Sequence, residues 1–272
     1  MVVGQLNKIL VLFLLIIFSN QNLNAVEFKG KFNQGSFILG KTSPGAKVKI
    51  DNKDVLVSND GYFVFGIGRD RKNDLTIRII KDQKLEVIIK KVFKRKYKIQ
   101  RIDGLPEKKV TPPKEVYERI KRENKIIADA RAIESDLTFF TKKFINPLDK
   151  AIVTGVYGSQ RILNGKPKWP HYGIDFAAKE GTKIKAMLDG TATMVEPDLF
   201  YTGGTLIFDH GHGISTLYMH MKDIYVKNGQ KVKQGEIIGT VGSTGRSTGP
   251  HLDVRLNWFG VRLDPATVLN LN

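Results

Sequence analysis

The 272-residue chain has no cysteine, only five histidines and only two tryptophans. Without thiols it can build neither a disulfide framework nor a cysteine-ligated metal site, so any transition metal must be held by His and carboxylate. Acidic residues are also short, 27 against 44 Lys and Arg, which leaves a formal charge of +17. No apolar run reaches the ~20 residues that a membrane-spanning helix needs. The longest, Ile9 to Phe18, follows Lys8 and precedes a polar stretch ending Leu23-Asn-Ala25. That three-part layout is the layout of a secretory signal. Residues 1–25 are therefore expected to be a signal peptide cleaved after Ala25, and the mature protein to lie in the periplasm or cell envelope.

The excess charge is unevenly placed. Residues 26–150 carry 30 basic against 17 acidic side chains, net +13, whereas residues 151–272 carry 13 against 10, net +3. The densest basic run is Lys90-Lys-Val-Phe-Lys-Arg-Lys-Tyr-Lys98. In an exported protein such a run suits an anionic envelope surface, wall polymer or lipid headgroups, and not nucleic acid. A solvated basic face is the plainer alternative.

From residue 26 to 102, short alternating runs such as Tyr62-Phe-Val-Phe-Gly66 and Leu75-Thr-Ile-Arg-Ile-Ile80 are divided by turn signals such as Ser43-Pro-Gly45 and Asn59-Asp-Gly61. This pattern predicts a small basic β-sandwich of immunoglobulin-like type. Residues 103–140 read as a linker containing Thr111-Pro-Pro113, followed by a helix from about Lys114 to Asp136 that spaces or docks the two domains. Residues 141–272 return to strand-like runs separated by glycine turns, with no intervening helix. An antiparallel sheet is expected there, so the fold class is mainly β.

The chemistry-bearing residues cluster late in the chain: His171-Tyr-Gly-Ile-Asp175, Tyr218-Met-His220 and His251-Leu-Asp253. On a straight strand His171 and Asp175 would lie ~13 Å apart, but a loop bending at Gly173, with Asp175 opening a strand, brings them to one point. His251 and Asp253 are two apart and so share one face of a strand. A hydrolytic zinc takes about three protein ligands and keeps one open position, a number this set can supply. Each residue alone could equally be an ordinary polar group at a strand end. The remaining pair, His210-Gly-His212, falls between two strands and reads as a hairpin tip.

Together with Val226-Lys-Asn-Gly-Gln-Lys-Val-Lys-Gln-Gly235 and Gly242-Ser-Thr-Gly-Arg-Ser-Thr-Gly-Pro-His-Leu252, these words make residues 147–269 resemble the lysostaphin/LytM-type zinc endopeptidases of peptidoglycan. The resemblance implies a bound zinc held by His171, Asp175 and the residue two after His251. It also implies that His251 is the general base and that His220 stabilises the intermediate or shuttles a proton. The family places a second histidine at the third ligand position; here it is Asp253. Aspartate is an accepted zinc ligand, but it removes one positive charge from the site and makes manganese more plausible. The implied activity is hydrolysis of peptide cross-links in peptidoglycan. The alternative that Asp253 leaves open is an impaired module that binds the wall or activates a cell-wall amidase.

Overall fold

The computed structural model describes residues 26–105, 107–150 and 152–269. The expected signal peptide lies outside them. The N-terminal region contains β1 (Glu27–Lys29), β2 (Phe37–Lys41), β3 (Lys47–Ile50), β4 (Lys53–Val55), β5 (Tyr62–Gly66), β6 (Leu75–Lys81) and β7 (Lys84–Lys90). They form a three-stranded sheet in the order β1-β2-β5 and a four-stranded sheet in the order β4-β3-β6-β7. Alternation sends Ile38, Phe63 and Phe65 from the first sheet and Val48, Ile50 and Ile77 from the second into one buried core. The packing between Phe28, Phe63 and Phe65 is edge-on or stacked, with ring centroids 6.1–6.4 Å apart.

A short strand, β8 (Ile99–Ile102), leaves these sheets and pairs in parallel with β10 (Gln160–Leu163) of the C-terminal domain. Between them the chain forms a turn of helix, α1 (Glu107–Val110), and then α2 (Tyr117–Arg131), which is shorter than the periodicity predicts. α2 packs on the C-terminal domain. Ile126, Ile127 and Ala130 pack on Met194, Ile207, Leu217 and Met219. Its buried Glu123 accepts from the Phe200 backbone N–H at 2.8 Å and from Arg119 at 2.6 Å.

The C-terminal domain adds β9 (Ile152–Gly155), β11 (Lys166–Pro167), β12 (Ile174–Ala177), β13 (Lys183–Lys185), β14 (Gly190–Leu199), β15 (Gly203–Gly211), β16 (Ile214–Ile224), β17 (Lys231–Val232), β18 (Ile237–Val241), β19 (His251–Trp258) and β20 (Val261–Leu263). Its main sheet runs β17-β14-β15-β16-β19-β12-β9 with antiparallel neighbours throughout. The apolar core is continuous with that of the N-terminal sheets: Phe37 meets Phe144 at 6.1 Å, and Leu263 closes over Gly66. An ion pair at 2.7 Å between Arg95 and buried Asp264 ties the two regions together.

Candidate metal centre

The central strands dictate the site. β12 and β19 pair so that Asp175 stands directly opposite Asp253, and two carboxylates in that relation repel unless a cation lies between or beside them. His171, in the loop before β12, completes the group. One ligating atom from each of His171, Asp175 and Asp253 lies within 4.8 Å of the others, and all three residues are buried. The loop expected to bend at Gly173 does bring His171 back to Asp175, with Nε2 of the histidine 3.2 Å from Oδ1 of the carboxylate.

Two observations fit this trio to a metal ion. Nδ1 of His171 is buried without a hydrogen-bond partner, and Nε2 has only its 3.2 Å contact with Oδ1 of Asp175 and no full hydrogen bond, which is costly unless something coordinates them. The space is also kept by glycine. A Cβ at Gly155 would collide with Oδ2 of Asp175, and one at Gly173 with Oδ1 of Asp253. The donor set, one imidazole and two carboxylates, is a zinc set and one that manganese also accepts.

His220 and His251 stand beside the trio with ring centroids 4.6 Å apart. Met219 pairs with Asp253, so regular alternation would turn the next residue, His220, to the other face of the sheet. His220 instead has φ of 63°, a left-handed conformation uncommon for a residue with a Cβ, in the stretch between Tyr218 and Met221 where β16 changes register with β15. That irregularity re-aims its ring toward His251. The loop from Gly242 to Pro250 then fixes both rings. Nδ1 of His220 donates to the Thr244 carbonyl at 2.8 Å, and Nδ1 of His251 donates to the Gly249 carbonyl at 2.8 Å. A carbonyl only accepts, so each ring carries its proton on Nδ1 and offers the Nε2 lone pair. Burial pushes His220 down to about 4, against the pull of Asp253, so it is neutral near pH 7.

Two arginines that sequence reasoning assigned no role are part of the site. Arg255 pairs with Asp253 through both carboxylate oxygens, at 3.0 and 3.4 Å. Arg161 pairs with Oδ2 of Asp175 at 2.8 Å and is itself held by Gln100 of β8 at 3.2 Å. Burial would raise Asp253, but the Arg255 guanidinium and then His171 hold it well below the usual carboxylate range. Asp175 is likewise held low by His171 and Arg161 against burial and the charge of Asp253. Arg255 had a readable signal, since it lies two residues beyond Asp253 and so on the same strand face. Arg161 had none, because its partnership spans 14 residues and a strand pairing with the linker.

The histidines set aside as a turn divide. His212 does occupy the β15–β16 turn, with φ of 50°. His210 does not: it lies within β15 and is fully buried, with Nδ1 2.7 Å from the Asp189 carbonyl and Nε2 2.8 Å from the Thr216 hydroxyl. The hairpin tip begins at His212, two residues later than the glycine pattern suggested.

The model of Peptidase family M23 matches residues 169–265. Peptidoglycan DD-endopeptidase ShyC of Vibrio cholerae is 37% identical over 125 residues, covering 45% of this chain and 28% of that protein. An uncharacterised metalloprotease of Buchnera aphidicola is 32% identical over 215 residues, covering 76% of this chain and 55% of the relative. The chain thus spans well under two thirds of these curated relatives. Among solved structures, a Pseudomonas aeruginosa protein described as a candidate M23 peptidase matches at a TM-score of 0.67 and 26% identity, over 88% of this chain and 94% of that one. With the trio of ligands and the histidine pair all inside the matched segment, residues 169–265 of this chain form a Peptidase family M23 domain.

Proposed function

We propose that this chain is an exported endopeptidase of peptidoglycan that cleaves peptide cross-links with one zinc ion per chain. The observation that carries the reading is the pair of opposed carboxylates, Asp175 and Asp253, converging with one ring atom of buried His171 to within 4.8 Å. The DD-endopeptidase name of a relative supports the substrate class, and the expected signal peptide supports an envelope location. His171, Asp175 and Asp253 hold the metal. When bound, zinc supplies Lewis-acid polarisation of the scissile carbonyl and makes water more acidic. His251, the less buried of the histidine pair, takes the proton from the attacking water at Nε2 and later delivers it to the departing amine. His220 is neutral with Nδ1 committed to Thr244, so its Nε2 orients the water or relays a proton and does not donate to an oxyanion. Away from these residues, Tyr201 and the α2 side chains of Tyr117, Ile120 and Lys121 line a hollow of about 370 Å³.

Purified protein incubated with cross-linked muropeptides should give cleaved peptides by mass spectrometry, with about one zinc recovered per chain. Intact muropeptides and metal-free protein from zinc-replete medium would overturn the reading. One observation favours the second reading, a non-catalytic wall-binding or amidase-activating module: both carboxylates already have a guanidinium partner. Zinc-free protein that binds the wall without cutting it would establish that alternative.

A further inference from the structure

We propose that Asp253 and Arg255 act as one unit, in which the guanidinium is a resident cation that holds the site together without metal and weakens its grip on a divalent ion. The inference rests on the metal reading above. Aspartate in place of a neutral imidazole subtracts one charge from the site, and Arg255 on the same strand face adds one back. Counting Arg161 on Asp175 as well, one histidine, two carboxylates, two guanidiniums and a divalent ion total +2, one more than the two-histidine, one-carboxylate site that the family resemblance implies. The geometry is that of a dedicated pair. Arg255 reaches both oxygens of a carboxylate that is 2% exposed, and its stem passes over Gly173, where a Cβ would meet Arg255 Cγ at 2.9 Å. A bidentate guanidinium is the planar, always-charged partner suited to such a carboxylate. Without it, Asp253 would face Asp175 across the strand pair with only Arg161 to offset two buried charges. Arg255 is therefore a positioning residue, acting through Asp253.

The test compares full-length wild type, Arg255→Met and Arg255→Lys by thermal unfolding with EDTA and with zinc, and by zinc competition against a chelating dye. Arg255→Met should unfold roughly 5–10 °C lower in EDTA and recover most of that loss in zinc. Its zinc affinity should rise by about tenfold or more, because a nearby positive charge has gone. Arg255→Lys should restore most of the stability in EDTA. In an Asp253→His background the same Arg255→Met change should lose its metal-dependent effect. Equal loss of stability with and without zinc, at unchanged affinity, would reduce Arg255 to packing and overturn the inference alone. No zinc binding by either protein would overturn the inference and the metal reading together.

A different part of the molecule carries a second inference: the outward face of the β4-β3-β6-β7 sheet docks on an anionic lipid bilayer. β7 is the edge strand, and its register with β6 places Leu85 opposite Ile80, Val87 opposite Arg78 and Ile89 opposite Thr76. Leu85, Val87 and Ile89 are 59%, 51% and 69% exposed, an unusual apolar column for an edge. On the same face, register with β3 sets Lys47 beside Ile80 and Lys49 beside Arg78. An apolar ridge alongside a basic column matches a headgroup surface, where cations meet anionic lipid and aliphatic side chains sink into the acyl boundary. A hydrated glycan offers the aliphatic column nothing, and a second copy would set the basic columns against each other.

Full-length protein sedimented with vesicles should bind those containing phosphatidylglycerol and not pure phosphatidylcholine, with binding falling as salt rises. Lys49→Glu should weaken it about fivefold or more. The Val87→Ser, Ile89→Ser pair should weaken it about tenfold while leaving muropeptide cleavage unchanged. Equal vesicle binding by these variants, dimerisation through this face in sedimentation velocity, or loss of binding to purified peptidoglycan in place of vesicles would overturn it.

Discussion

The two β regions of this chain bury different things. The N-terminal sheets close over aliphatic and aromatic side chains, with their charges left on the surface. The C-terminal domain buries His171, Asp175, Asp189, Asp209, His210, His220 and Asp253 in or beside its main sheet. The first arrangement gains stability directly from apolar burial. The second must offset each buried polar group with a partner, and at the site the offset is incomplete: the ring nitrogens of His171 and Oδ1 of Asp175 are among the buried atoms that make no full hydrogen bond, with His212 Nδ1 and Trp258 Nε1 elsewhere in the domain. Function has been built where the offset is incomplete, so the two regions should respond oppositely to mutation: activity lost without stability in one, stability lost without site chemistry in the other.

The largest separation should come from His251→Ala, which removes the Nε2 base while leaving the three ligands in place. Cleavage of muropeptides should fall by about 10²–10⁴ in kcat, with zinc content unchanged by elemental analysis and the unfolding midpoint nearly so. A variant that loses zinc as well would show that His251 is part of the ligand set. The converse comes from Phe65→Ala, in a fully buried position between Phe28 and Phe63. Denaturant unfolding should show a loss of about 3–5 kcal/mol. The folded fraction should keep its specific activity; a matching fall in activity per folded molecule would mean that the sandwich core also shapes the site.

The same contrast explains what was legible in the sequence. Alternation in Leu75–Lys81 follows directly from one buried face, and the short apolar run Tyr62–Gly66 is buried from Phe63 onward, so these strands appear where the pattern puts them. Asp175 opening a strand and His251 sharing a face with Asp253 were equally local facts. The direct opposition of Asp175 to Asp253 was not, because it depends on the register of two strands about 80 residues apart. Arg161 was hidden for the same reason; His220 was named from the resemblance, but its direction was not legible, because a left-handed residue breaks the alternation that predicts where side chains point. His210 misled because glycines at 211 and 213 look like a turn, while the strand runs on to Gly211 and buries the ring.

His210 supplies the smallest effect and a test of how the C-terminal domain bears its buried polar load. Its Nδ1–H goes to the Asp189 carbonyl and its Nε2 accepts from the Thr216 hydroxyl, so the neutral ring is fully satisfied. A second proton on Nε2 would require Thr216 to turn from donor to acceptor inside the core. Burial accordingly pushes His210 down to about 4, from an ordinary value of 6.5. The unfolded chain therefore binds more protons between those two values, so the stability is complete above pH 6.5 and is lost as the pH falls toward 4. The contribution should reach about 2 kcal/mol of loss at pH 5, measured by urea unfolding relative to pH 7.5. His210→Gln should be less stable at pH 7.5 but lose correspondingly less on acidification. An unchanged pH slope in that variant would assign the acid sensitivity to other buried groups, with Asp189, whose backbone carbonyl the ring meets, the first to examine.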